Sequence, residues 1–179
     1  AAFGHLLDAN GRRRDRRISV GHDPGDLPCA GELDPDGHPL SLLDVAASGD
    51  PALRINSDGR GPVSAEWMIP KSLWMKRHQP ELFAKAARIC EYQDYINWRL
   101  TGRWVASLDN MAVRWHYQSQ HGGRPTSLLV RLDIPELEEK WPQDIVRPGD
   151  IIDGLTKEAA AHCGLKPGTP VVQGGADAF

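Results

Sequence analysis

The residues best suited to chemistry lie near the end of the chain. Asp177 follows an apolar segment, Pro170–Gln173, and the run Gly174-Gly175-Ala176. The apolar segment predicts a buried strand, and glycines let a backbone approach a ligand closely. In phosphoryl transfer, an aspartate held in a crevice at the carboxyl end of a strand can accept the proton of the attacking hydroxyl. The same spacing also fits a turn whose aspartate caps a following helix.

A second candidate is Lys71, which follows Pro70 at a predicted helix start. The helix dipole disfavours a cation there, so we expect a reason other than local stability, with an ordinary solvated lysine as the alternative. Glu66 could accept hydroxyl groups of a ligand or cap the same helix, and the sequence leaves both interpretations open. Trp67 and Trp74 could line a binding site, although tryptophans at this spacing are more often part of a core.

Three short helices between residues 63 and 103 would position these side chains. The first begins at Pro70 and the second at Pro80, because the fixed φ of proline suits a first turn. The third spans Tyr92–Leu100, and Gly102 supplies the left-handed residue that commonly closes a helix. The side chains expected to face inward are Leu73, Trp74, Leu82, Phe83, Ala86, Tyr95, Ile96 and Trp98.

Further elements lead from these helices to the strand before Asp177. Thr156 is expected to cap a helix over Lys157–Cys163, which Gly164 ends. The other predicted elements are short strands at 104–106 and 150–152, the second within a connecting segment at 145–154, and short helices at 127–132 and 135–141.

The first part of the chain contains turn signals and few helix signals. Asn10-Gly11 and Asp34-Pro35-Asp36-Gly37 each predict a β-hairpin. A compact α/β domain normally needs crossover helices between such strands, and the sequence between and after these hairpins has no helical pattern. We therefore expect either a longer polypeptide from which segments are missing, or a truncated gene product.

Two stretches carry a resemblance to a known family. SAEWMIPK, followed by ICEYQDYINWRLTGR, and then PGTPVVQGGADAF occur in the order and at the separation seen in the FGGY family of carbohydrate kinases. The ribulokinase-like members are the most similar. The resemblance covers 63–179 and is patchy before residue 63.

The resemblance implies a fold and a role for each candidate residue. The fold would be α/β, of the actin-like or ribonuclease H-like ATPase kind, with a mixed sheet and flanking helices. Asp177 would be the base that acts on the terminal hydroxyl of a sugar, and Lys71 would hydrogen-bond hydroxyl or carbonyl oxygens of a ketose. Glu66 would be a further substrate contact.

The resemblance also implies the domain organisation and the cofactors. Residues 1–179 would form an incomplete N-terminal, sugar-binding domain, and the ATP-binding domain would be absent from this chain. ATP and Mg²⁺ would then need residues outside it, so that the chain alone would be inactive. The expected activity is ATP-dependent phosphorylation of a ketopentose or a related sugar. The alternative is a non-catalytic sugar-binding or interaction remnant of a sugar kinase.

Composition restricts the other partners. A net charge of -3 and 25% charged residues give no reason to expect nucleic acid or a membrane surface. Three cysteines, an odd number without CxxC spacing, fit reduced and mostly buried thiols in the cytoplasm. The expected partner is a small-molecule sugar. The oligomeric state is open, with a homodimer as one alternative.

Three further patterns of charged or histidine residues are given a structural interpretation and not a functional one. Glu91 and Asp94 are spaced as a helix cap or a solvated stripe, which is far more common than a paired-carboxylate glycosidase site. His116 and His121 flank a Gln- and Gly-rich loop without other ligands at metal spacing, so both are expected to be surface or loop residues. The arginines at 12–17 fit a solvated edge strand.

Overall fold

The computed structural model of the protein describes residues 5–7, 47–56, 67–120 and 123–176, where the chain has the predicted α/β character. A 3₁₀ helix spans Pro51–Asn56. The strands are β1 (His5–Leu7), β2 (Arg88–Cys90), β3 (Val105–Ser107), β4 (Asp144–Val146), β5 (Ile151–Gly154) and β6 (Pro170–Val172). The helices are α1 (Met68–His78), α2 (Pro80–Lys85), α3 (Tyr92–Thr101), α4 (Leu108–Arg114), α5 (Thr126–Arg131), α6 (Leu137–Lys140) and α7 (Lys157–Cys163).

The described strands pair two by two. β1 and β2 are antiparallel, β3 and β4 are parallel, and β5 and β6 are antiparallel with an irregularity between Ile151 and Asp153. The sequence predicted neither β2 nor β4. Each has only three residues, which is too short for the alternation of apolar and polar side chains to become visible.

The main core lies between the 3₁₀ helix and α1, α2, α4, α5 and α6. At its centre the fully buried rings of Trp115 and Trp141 meet edge to face, with centroids 4.7 Å apart. Such a contact suits aromatic rings, whose positive edges face negative ring faces. A smaller cluster of Leu155, Ala159 and Ala160 packs α7 against α3 and β6.

The first two helices follow the sequence prediction with one shift. α1 begins at Met68, two residues before Pro70, and proline is tolerated there because the first turn needs no backbone N–H. Leu73 is buried as predicted, whereas Trp74 is only half-buried and stacks on His78 with ring centroids 4.7 Å apart. α2 begins at Pro80 as predicted.

The helix α3 has the predicted bounds within one residue but buries a different face. Gly102 closes it with a φ of 79°, as expected. Tyr95, Ile96 and Trp98, which were expected inside, are half-buried. The buried residues are instead Asp94, Asn97 and Thr101. The prediction failed because it assumed an apolar inward face. Asp94 accepts from the Glu91 N–H and Thr101 donates to the Asn97 carbonyl within the helix, while Asn97 donates to Gln173 after β6.

The strand β6 was predicted to be buried, and this is wrong for most of it. Val172 is 50% exposed and Pro170 is exposed, while Gln173, just after the strand, is buried. Within the described residues β6 pairs only with β5. The apolar residues 170–172 therefore form one strand of a two-stranded hairpin and not the centre of a sheet. α7 and its caps agree with the prediction, since the Thr156 hydroxyl accepts from the Ala159 N–H at 3.1 Å.

Two single-residue expectations are corrected. Cys163, near the end of α7, is exposed, whereas Cys90 is buried as predicted. His116 is a loop residue but is fully buried instead of lying at the surface, because the Trp67 ring and the 3₁₀ helix cover it.

Some predictions fall outside the described residues. They concern the hairpin turns at 10–11 and 34–37, the arginines at 12–17, Cys29, Glu66, His121 and Asp177. Within the described part of the chain, no helix combines the length and the apolar character needed to cross a membrane.

Gly154→Ala is expected to destabilise the β5–β6 hairpin. A Cβ at this position would lie 2.7 Å from the Gly168 Cα, and neither backbone can move without breaking the pairing. We expect a loss of about 1–3 kcal/mol in the free energy of unfolding, measured by urea titration. Gly164→Ala is the control, because nothing lies within 4 Å of its Cβ position and only its φ of 68° opposes a side chain. Gly164→Ala therefore measures the cost of backbone strain without a clash, about 1–2 kcal/mol. An unchanged free energy of unfolding in Gly154→Ala would contradict the steric explanation.

Candidate functional site

After β6 the chain continues as an irregular segment, Gln173–Ala176, which we call the post-β6 segment. Gln173 is buried, and its Oε1 accepts from the Asn97 Nδ2 of α3 at 3.1 Å. Its Nε2 donates to the Gly174 carbonyl at 2.9 Å. Its backbone N–H and carbonyl bond to the chain at Asp150 and Gly149. The start of the segment is therefore fixed by main chain and side chain together.

The rest of the segment is held by residues that follow β3. The Ser107 hydroxyl, at the end of β3, donates to the Gly174 carbonyl at 3.0 Å. The Asp109 Oδ2, in the first turn of α4, accepts from the Ala176 N–H at 2.7 Å. The carboxyl ends of β3 and β6 therefore meet, which is where α/β folds place ligand sites.

The two glycines of the segment permit a close approach to these polar side chains. A Cβ on Gly174 would lie 2.6 Å from the Gln93 Nε2, and one on Gly175 would lie 3.1 Å from the Asp109 Oδ2. The Gln93 Oε1 accepts from the Asn110 Nδ2 at 2.8 Å, which ties α3 to α4 beside the segment. A larger residue at either position would displace the end of the Gln93 or the Asp109 side chain from its present place.

A buried ion pair joins the start of α3 to the end of α4. The Glu91 Oε1 lies 2.8 Å from the Arg114 Nε and accepts from the Trp115 Nε1 at 3.1 Å. Both charged side chains are largely buried, so the pair is shielded from water and its geometry is fixed. Because Trp115 belongs to the core, this contact anchors α3 to the rigid part of the molecule.

Asp94, one turn into α3, is also buried. Its Oδ2 accepts from the Glu91 N–H at 3.1 Å, so the predicted capping role is present, but neither carboxyl group is solvated. Burial, reinforced by the nearby Glu91 charge, raises the pKa of the Asp94 carboxyl to about 8, while the backbone N–H groups of Glu91 and Ser107 act in the opposite direction. At neutral pH this side chain is therefore mostly protonated.

The helix that carries Lys71 is attached to the other end of α4. Lys71 lies in the first turn of α1 and is half-buried, and its backbone N–H donates to the Trp67 carbonyl at 3.2 Å. The Trp67 ring contacts the His116 ring edge to face, with centroids 5.2 Å apart. His116 has a φ of 56°, which is uncommon for a residue with a side chain and holds the ring under Trp67.

The His116 ring is held neutral. Burial lowers the pKa of His116 to about 4, although the Ala52 backbone and the Asp50 carboxylate act in the opposite direction. A neutral ring packs against tryptophan without the cost of burying a charge. Trp67, which precedes Lys71 by four residues, therefore rests on an uncharged and rigid support.

The helix α4 links the two parts of the site. Asp109 near its start touches the post-β6 segment, and His116 just past its end touches Trp67. The helix therefore lies between the post-β6 segment and the start of α1 along the chain of contacts.

The structure places one of the three predicted site residues. Lys71 is at the start of α1, whereas Asp177 and Glu66 lie outside the described residues and stay predictions. Sequence reasoning missed Gln93, Asn97, Ser107 and Asp109. Ser107-Leu108-Asp109-Asn110 follows a short apolar strand, and polar residues at the carboxyl end of a strand are the signal that could have indicated them.

The described residues do not form a metal site. Among them no group of three or more His, Cys, Asp or Glu side chains is arranged to hold an ion. No described residue is therefore assigned to Mg²⁺.

Comparison with known proteins identifies the family. The sequence profile of the N-terminal domain of the FGGY family of carbohydrate kinases matches residues 58–179. The chain belongs to this family. Ribulokinase of Shouchella clausii is 34% identical over 122 residues, and ribulokinase of Mycolicibacterium smegmatis is 35% identical over 125 residues. Each match covers 66% of the chain, and 22% and 21% of the respective relative, so the chain spans about a fifth of the length of these proteins.

Solved structures of FGGY sugar kinases share the fold of this chain, which confirms the predicted α/β, actin-like fold class. Xylulose kinase from Rhodospirillum rubrum matches with a TM-score of 0.69 and 26% identity, over 97% of the chain and 32% of that structure. Ligand-bound xylulose kinase from Lactobacillus acidophilus matches with a TM-score of 0.74 and 21% identity, over 98% of the chain and 32% of that structure. The resemblance inferred from the two sequence stretches is confirmed.

Asp94→Asn is expected to change how stability depends on pH. The folded pKa of about 8 lies above the ordinary value of 3.8, so the folded state binds more protons than the unfolded state between these values. Asp94 therefore makes the free energy of unfolding fall as pH rises through this window, by up to about 1.4 kcal/mol per pH unit. Urea titrations at pH 5, 6, 7 and 8 should show the stability of Asp94→Asn, relative to the unsubstituted protein, increasing with pH. A relative stability that stays constant between pH 5 and pH 8 would mean that Asp94 is ionised in the folded state, because its pKa would then lie below this range in both the folded and the unfolded protein.

Proposed function

We propose that this chain provides the sugar site and the catalytic base of an ATP-dependent sugar kinase whose acceptor is a ketopentose. The observation that supports it most directly is the fixed post-β6 segment. Asp109 and Ser107 hold this segment at the meeting point of two strand ends, and the next residue in the chain is Asp177.

In the proposed reaction Asp177 acts as the general base. Its carboxylate accepts the proton of a primary hydroxyl of the sugar while that oxygen attacks the γ-phosphorus of ATP. The bond from the γ-phosphorus to the β–γ bridging oxygen breaks, and ADP leaves. Phosphoryl transfer depends mainly on the positioning of these groups, so a base on a well-fixed segment suits the reaction.

Lys71 and Glu66 are proposed to bind the same sugar. An ammonium group donates hydrogen bonds to hydroxyl or carbonyl oxygens, and a carboxylate accepts them from hydroxyl groups. The half-buried position of Lys71 in the first turn of α1, beside Trp67, supports this role.

ATP and Mg²⁺ are proposed to bind through residues other than those assigned here. In phosphoryl transfer Mg²⁺ supplies positive charge that neutralises the transferred phosphate. This chain is accordingly assigned to part of a sugar-binding N-terminal domain. Its cytoplasmic location and its assembly as a homodimer stay predictions.

The choice of a ketopentose is supported by the names of the relatives. Two of the most similar are ribulokinases, another is L-xylulose/3-keto-L-gulonate kinase of Escherichia coli, and xylulose kinases are among the solved structures. The second candidate is a non-catalytic sugar-binding or interaction remnant of a sugar kinase. Sugar binding without sugar-dependent release of ADP in the full-length protein would favour this second candidate.

Asp177→Asn in the full-length protein is expected to lower kcat on the order of 10²- to 10⁴-fold, because the proton acceptor is lost. The assay is ADP release with ribulose, xylulose, a hexulose or a polyol as the acceptor. Asp153→Asn is the control, because this exposed aspartate of β5 lies outside the site. Undiminished ADP release by Asp177→Asn would exclude the proposed base.

Lys71→Met is expected to raise the KM for the sugar about tenfold or more, because hydrogen bonds from a charged group are lost. kcat should change less, since the contact is made with bound sugar as well as in the transition state. Lys157→Met is a matched control, because Lys157 is an exposed lysine in the first turn of α7. An unchanged KM in Lys71→Met would show that Lys71 is an ordinary surface lysine.

A further inference from the structure

We propose that Asp109 is a positioning residue that sets the orientation of the catalytic base. This inference rests on the proposed function of Asp177 and adds a second carboxylate to the site. Asp109 is not proposed to touch the sugar or to take up a proton.

The first argument is the place of the hydrogen bond. Ala176 immediately precedes Asp177, and its N–H donates to the Asp109 Oδ2 at 2.7 Å. This bond fixes the peptide plane between Gly175 and Ala176. Among the described side-chain contacts of the post-β6 segment, it is the one nearest to Asp177 in sequence.

The second argument is the conformational freedom that the bond removes. Gly174 and Gly175 have no side chains, so without a restraint this backbone would sample many conformations. Ser107 and Gln173 both bond to the Gly174 carbonyl and leave the following peptide unit, between Gly175 and Ala176, to Asp109. The length of 2.7 Å is at the short end of the range for an N–H···O hydrogen bond.

The third argument is the rigidity of the support. Asp109 lies in the first turn of α4, directly after β3, whose residues Val105, Ala106 and Ser107 are all buried. Further along α4, Met111 is in the core and Arg114 is paired with Glu91. The carboxylate is therefore presented by an element that is itself held at both ends.

The ordinary explanation for Asp109 is a favourable charge near the amino end of a helix. That explanation requires only a negative charge, whereas the positioning role requires an acceptor at one point in space. Three substitutions separate the two. Asp109→Asn keeps an oxygen acceptor and loses the charge, Asp109→Glu keeps the charge and displaces the acceptor, and Asp109→Ala removes both.

The experiment measures kcat and KM in the full-length protein with ribulose and xylulose as acceptors. For Asp109→Ala we expect kcat to fall about 10- to 100-fold, which is the size of effect that a displacement of about 1 Å can cause, with KM changed less than about threefold. Asp109→Glu should resemble Asp109→Ala, and Asp109→Asn should stay within about threefold of the unsubstituted protein. Glu139→Ala, which removes an exposed first-turn carboxylate from α6, is the control and should leave both constants unchanged.

A measurement independent of turnover follows the Ala176 amide itself. Hydrogen exchange at this amide should become on the order of tenfold faster in Asp109→Ala and stay slow in Asp109→Asn and Glu139→Ala. If Asp109→Ala does not fold, Asp109→Glu provides the same comparison with the charge retained. Unchanged exchange, or an unchanged kcat in a folded Asp109→Ala or Asp109→Glu, would overturn the inference.

A double substitution separates failure of this inference from failure of the proposed function. If Asp109 acts through Asp177, then Asp109→Ala should not slow Asp177→Asn any further. Full activity of Asp177→Asn would reject the base, and hydrogen exchange would still decide whether Asp109 orders the segment. An inactive Asp177→Asn with a fully active Asp109→Ala would keep the base and reject Asp109.

Discussion

The arrangement of the described residues depends on the need of buried polar groups for partners. The inward face of α3 presents Asp94, Asn97 and Thr101, and Glu91 is buried at its start. Leaving such groups without hydrogen bonds would cost about 1–3 kcal/mol each, and more where the group is charged. Glu91 is paired with Arg114 and Trp115 at the end of α4, and Asn97 bonds to Gln173 after β6. Asp94 and Thr101 bond to backbone groups at the start of the helix and within it. The contacts of α3 therefore bring α4 and the chain after β6 to one place.

This convergence explains why the site is built on short elements. Strands of three residues have little stability alone, and a two-stranded ribbon is marginal in water. Side-chain hydrogen bonds between elements supply the order that longer ladders would otherwise provide. The polar residues around Gln173 and Gly174 therefore stabilise the fold and position the site through the same contacts.

The carboxyl groups of Asp94 and Asp109 differ in environment. Asp94 is enclosed, and burial together with the Glu91 charge raises its pKa to about 8, so it is mostly neutral at pH 7. Asp109 is half-buried and faces a backbone N–H. Burial thus makes Asp94 a mostly neutral group within the fold, whereas Asp109 keeps partial access to water.

The sequence alone determined the family and the helix boundaries around Pro80, Gly102 and Thr156. The helix boundaries depend on local backbone preferences, and the family is indicated by short sequence stretches that occur in the family's order. Both can be read along the chain. Tertiary structure alone decided that the polar face of α3 is buried, that His116 lies under Trp67, and that Asp109 meets the Ala176 amide. Each of these pairs residues from separate elements, the last across 67 positions of the chain, and local periodicity carries no information about which distant polar group will satisfy another.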